Sequence, residues 1–77
     1  MAKTQVTGPQ LRASRGLVGW TVRILAKKAK VYENTITFIE KGRHRGKDET
    51  LEALRKALEK AGVEFTNGKR PGVRIAT

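Results

Sequence analysis

A chain of 77 residues has room for one hydrophobic core and none for a second, so every element must close around a single small interior. That interior has to be aliphatic, because only 5% of the residues are aromatic against 38% apolar. A core of this size lies near the lower limit for independent folding, which makes marginal stability or dimerisation the expectation. The sequence has no cysteine, so neither a disulfide framework nor a thiolate metal site contributes. The N-terminal stretch MAKTQVTGPQ has no apolar h-region, and no run approaches the ~18 apolar residues of a membrane span. The expectation is a soluble, cytoplasmic protein with no membrane partner.

Punctuation along the chain predicts four short helices. Thr7-Gly8-Pro9-Gln10 reads as a helix start, with Thr7 as N-cap, Pro9 in the first turn and Gln10 closing a capping box; this helix runs to about Leu17. Gly19 breaks it, Trp20 reads as a core anchor, and Thr21 can accept bonds from the first free amides of a second helix over Val22 to Ala29. In that helix Leu25, Ala26 and Ala29 share one face, leaving Arg23, Lys27 and Lys28 in water. After the turn Lys30-Val31-Tyr32, a third helix over about Glu33 to Lys41 buries Ile36 and Ile39 and ends at Gly42, which suits the left-handed position. Asp48 is placed to cap a fourth helix, about residues 48–61, in which Leu51, Leu54 and Leu58 form an apolar stripe that Gly62 stops. Beyond it, Val63-Glu64-Phe65 and Gly72-Val73-Arg74-Ile75 alternate around an Asn67-Gly68 turn signal, predicting a hairpin. Two isolated strands are only marginally stable, so Phe65, Val73 and Ile75 should lie on the helices or meet a second subunit through a free edge. The organisation is then an arm over 1–8, a helical domain over 9–62, and a hairpin with its tail over 63–77.

Charge is the strongest compositional signal: 17 Lys and Arg against seven Asp and Glu leave a formal +10, which favours acidic partners. It is unevenly spread. From Arg23 to Lys47 there are eight cations (Arg23, Lys27, Lys28, Lys30, Lys41, Arg43, Arg45, Lys47) and two acids, Glu33 and Glu40. From Asp48 to Lys60 the four acids Asp48, Glu49, Glu52 and Glu59 outnumber Arg55, Lys56 and Lys60. Basic residues can serve solubility alone, but clustering on one part of so small a domain points to a polyanion.

Two short helices joined by a tight turn, with Ala26 near the crossing, are what a helix-turn-helix requires. The stretch LRASRGLVGWTVRILAKKAKVYENTITFIEKGR, residues 11–43, resembles the lambda-repressor-like (XRE, Cro-type) helix-turn-helix family. There an Arg-bearing first helix precedes Gly-aromatic-Ser/Thr, Leu-Ala, Ala-x-Val, Thr-Ile and a closing Glu-x-Gly. The continuation TLEALRKALEKAGVEF and then PGVRI extends the likeness over nearly the whole chain. The resemblance implies a mostly α fold, a compact four-helix domain with a short C-terminal β-hairpin, and an ion pair between Arg15 and Glu40 acting as a scaffold brace. It also implies that the third helix enters the major groove of double-stranded DNA, with Glu33, Asn34, Thr37 and Phe38 at base edges. Lys27, Lys28, Arg43, Arg45 and Lys47 are then placed to neutralise phosphates. His44 suits a phosphate or solvent contact better than catalysis or metal binding, and no cofactor is implied.

Four positions depart from the family pattern. Val22 stands where Gln is common, Lys30 where the turn has Gly, Tyr32 where Ser caps the third helix, and Phe38 where an Arg or polar residue is frequent. All but Lys30 exchange polarity for apolar surface. Val22, Tyr32 and Phe38 would then share an exposed face, and such clusters more often mark a protein interface. Two readings stay open: a sequence-specific DNA-binding regulator, a repressor working as a homodimer, and an antiactivator that grips a transcription activator protein through Val22, Tyr32, Asn34 and Phe38. An antitoxin would need a toxin-binding segment that only the short termini or hairpin could supply. An enzyme lacks parts, with one His, no Cys, no paired carboxylates near a nucleophile and no Gly-rich phosphate loop.

Overall fold

A computed structural model describes residues 6–43, 46–66 and 71–75. Four helices, α1 (Gly8–Val18), α2 (Val22–Ala29), α3 (Glu33–Glu40) and α4 (Asp48–Lys60), are followed by an antiparallel hairpin of β1 (Val63–Thr66) and β2 (Gly72–Ile75).

The helix starts follow from side chains that satisfy otherwise orphaned amides. Thr7 Oγ1 accepts from the Gln10 amide at 3.2 Å while Gln10 Oε1 accepts from the Thr7 amide at 2.9 Å, the reciprocal capping box that the sequence predicts. Thr21 Oγ1 likewise accepts from the Ile24 amide at 3.1 Å and sets the start of α2. Asp48 is not the cap of α4. Gly46 turns the chain with φ 89°, Lys47 then takes the extended N-cap conformation, and Asp48 falls into the first helical turn beside Glu49. There both acids sit at the positive end of the helix dipole. Gly42 takes φ 73° just past α3, as expected.

Among the described residues, ten apolar side chains make the core. Leu11 comes from α1, Leu25 and Ala26 from α2, Ile36 and Ile39 from α3, Leu51, Leu54 and Leu58 from α4, with Val6 and Val63 closing its ends. Trp20 is half-buried against this cluster, so it covers the core more than it anchors it. Ala29 is likewise half-buried, while Arg23, Lys27 and Lys28 are exposed as the helical phase requires. Val6 lies in the core and Thr7 caps α1, so from residue 6 onward the chain belongs to the domain and not to an arm. At Gly8 α1 runs so close to the end of α3 that an added Cβ would sit 2.4 Å from the Ile39 carbonyl oxygen. Only glycine permits that approach.

The hairpin pairs Val63 with Ile75, Glu64 with Arg74, Phe65 with Val73 and Thr66 with Gly72. It packs on α1 and α4, and Phe65 and Val73 lie against the core as predicted. Ile75 does not: it falls at the open end of the hairpin and is 41% exposed. Glu64 and Arg74 pair across the strands on the outer face. The Asn67-Gly68 turn lies outside the described residues. One buried side chain ties the hairpin to α1, since Gln10 Nε2 donates to the carbonyls of both Thr66 and Gly72 at 3.1 Å.

Candidate nucleic-acid interface

The surface over α2 and α3 is held in place by one ion pair. Arg15 on α1 makes a two-pronged contact with Glu40 at the end of α3, Nε to Oε2 and Nη2 to Oε1, both at 2.7 Å. Its third donor, Nη1, reaches the Trp20 carbonyl at 3.1 Å and so fixes the α1–α2 connection as well. The two side chains are 19% and 8% exposed, and the hydrogen bonds to Glu40 hold the guanidinium pKa above its ordinary value despite partial desolvation. This is the brace that the resemblance implied.

On the outward side of α3, Asn34, Thr37 and Phe38 stand at i, i+3 and i+4 and therefore share a face. Glu33 and Asn34 are exposed, Thr37 is half-buried and Phe38 is 41% exposed. Tyr32, the residue before the helix, is 85% exposed and makes no side-chain cap bond. Tyr32, Glu33, Asn34 and Thr35 line an open depression of about 620 Å³ over the first turn of α3. A second open cleft of about 580 Å³ adjoins it, sharing Tyr32 and Glu33 and continuing along Arg23, Lys27 and Lys30.

The predicted phosphate contacts divide. Lys27 lies on the cleft beside α3, and Arg43 and Lys47 are exposed on either side of the link between α3 and α4. Arg43 is set by its amide, which donates to the Phe38 carbonyl at 2.9 Å. Lys28 is turned away from this group. One residue further round α2, its ammonium sits 5.8 Å from the centroid of the Trp20 ring, in a separate hollow with Ala57, Lys60 and Ala61. Arg45 and His44 lie outside the described residues. Val22 also departs from its expected place: it is half-buried and packs on the core, because its helical phase turns it towards Leu25 and Ala26. Of the three apolar residues expected on an exposed face, Tyr32 and Phe38 are exposed and Val22 is not.

Two contributors were not assigned from the sequence. Arg23 lies four residues before Lys27, the signal that puts both on one side of α2. Lys30 caps α2 in the left-handed conformation with φ 58°, the one non-glycine residue with positive φ among the described residues. Its place in the turn was legible; its position on the cleft was not. Among the described residues no carboxylate forms a salt bridge with Arg23, Lys27, Lys30, Lys41, Arg43 or Lys47.

A scan against models of known protein families finds no match to the chain, and no curated protein matches it. Among the described residues no helix is long and apolar enough to cross a membrane.

Proposed function

We propose that the chain is a small DNA-binding regulator of the lambda-repressor-like kind, in which α2 and α3 form the helix-turn-helix and α3 reads base edges in the major groove. The observation that carries this reading is the group of exposed cations Lys27 on α2, Lys41 at the end of α3, and Arg43 and Lys47 in the link that follows, which form no salt bridge among the described residues. Cations that fold without a counter-charge are available to a polyanion, and phosphate contacts set register while base edges set sequence. Asn34 suits a bidentate contact to adenine, Glu33 accepts from cytosine, and Thr37 and Phe38 touch thymine methyls. A symmetric dimer would then read half-sites about one helical turn apart. The test is an amide-shift titration with duplex DNA from the region upstream of the chain's own reading frame and with a scrambled duplex, at two salt concentrations. Shifts of Asn34, Thr37 and Phe38 confined to the upstream duplex and surviving the higher salt support the reading; equal, salt-labile shifts with both duplexes defeat it.

The exposure of Tyr32 and Phe38 favours a second reading, an antiactivator that holds a transcription activator through this face. It requires Tyr32→Ala or Phe38→Ala to abolish capture of that activator without loss of fold. Undiminished capture by both variants excludes it.

A further inference from the structure

We infer that the cleft between α2 and the start of α3, lined by Arg23, Lys27, Lys30 and Tyr32, is a phosphate-holding site for the DNA backbone flanking the bases that α3 reads. The inference rests on the DNA-binding reading and adds to it a site of its own. Arg23 and Lys27, at i and i+4, present two like charges on one face of α2, an arrangement that weakens a helix by itself. Lys30 adds a third cation from the turn, and no described carboxylate forms a salt bridge with any of the three. The backbone at Lys30 is one that glycine adopts freely and a side chain resists, so the long cation stands where local structure argues against it. The first turn of α3, uncapped by the Tyr32 side chain, directs the positive end of that helix towards the same end of the cleft.

A phosphodiester fits this arrangement better than a carboxylate-bearing peptide for two reasons. The cleft shares Tyr32 and Glu33 with the lining of the depression over Asn34 and Thr35, so a strand whose bases meet α3 has its backbone beside the cations. Tyr32, almost wholly exposed between the two, offers a hydroxyl to a phosphate oxygen and a flat ring to the deoxyribose. Glu33 lies on the rim shared by both concavities and repels phosphate there, which confines the backbone to the Arg23–Lys30 side.

The test compares the full chain with Lys30→Gly and Arg23→Gln for binding to the upstream and scrambled duplexes over a range of salt. Lys30→Gly relieves the backbone, so its thermal midpoint should equal or exceed that of the parent, which separates charge loss from unfolding. The expected result is a fall of about 0.9 in the slope of log affinity against log salt for each variant. Affinity for both duplexes should drop by the same factor, about five- to tenfold near ~0.1 M salt. A parent that binds duplex while both variants keep its slope and affinity overturns the assignment; binding of polyglutamate by the parent and not by Lys30→Gly, with DNA affinity unchanged, gives the cleft to an acidic protein segment instead. If the parent shows no preference for the upstream duplex yet the variants lose slope, the phosphate site stands and sequence reading falls. If the parent binds no duplex, both fall.

Discussion

The outer face of α4 and the surface over α2 and α3 both carry many charges, but they handle them differently. On α4, Arg55 bonds Glu52 at 2.6 Å and lies 3.7 Å from Glu59, while Lys56 approaches Glu52 at 3.9 Å, so cations and acids satisfy one another along the helix. The hydrogen bond to Glu52 holds the Arg55 guanidinium pKa above its ordinary value. Over α2 and α3 the cations face outward, and Glu40 is committed to Arg15 on the inner side. A self-neutralised helix face has little to offer a polyanion. A face whose cations form no salt bridge among the described residues can gain from one, and this contrast locates the candidate site better than the net charge does.

The largest effect should come from the brace that orients the cationic face. Arg15→Ala strands the largely buried Glu40 carboxylate and should cost about 3–5 kcal/mol, enough to unfold much of so small a domain; chemical denaturation measures it. A loss below ~1 kcal/mol would mean that α3 is held by apolar packing alone. Next, replacing Lys27, Arg43 and Lys47 together by Ala should lower the salt slope of duplex binding by about 2.7, a few-hundredfold in affinity near ~0.1 M salt. Replacing Arg55 and Lys56 should leave that slope unchanged, and equal effects from both sets would erase the distinction between the surfaces. Asn34→Ala should weaken binding to the upstream duplex by ~1–3 kcal/mol and narrow the gap to a scrambled one, read by competition titration. Smallest is Arg55→Ala, whose pairs are about one-third exposed; screening should hold its cost in thermal unfolding to ~0–1 kcal/mol.

Local chemistry made much of this architecture readable in advance. Thr7 with Gln10 and Thr21 fix helix starts through bonds three residues away, and the Leu51, Leu54, Leu58 stripe fixes the buried face of α4 by spacing alone. What escaped depends on which neighbour a residue meets. Helical phase put Lys28 in water without telling that Trp20 lies beside it, while the phase of Val22 with Leu25 and Ala26 turns it inward, against the exposed place that the family pattern implied. Asp48 looked like a cap because the preceding backbone, not the residue, decides who occupies that position. Val6 reads as arm because a lone apolar residue before a helix cap carries no spacing signal that would place it in the core.

Gln10 carries a consequence for how the protein opens. Its amide joins the start of α1 to two carbonyls 56 and 62 residues further along the sequence, so the contact closes a loop nearly as long as the chain. Contacts of such high sequence separation form late, and the hairpin, with only two strands, has little order without them. In native-state hydrogen exchange the hairpin should therefore open as one cooperative unit, at a lower opening free energy than the helices. The cationic face, braced through Arg15 on α1, would stay assembled while the hairpin leaves Gln10 and returns.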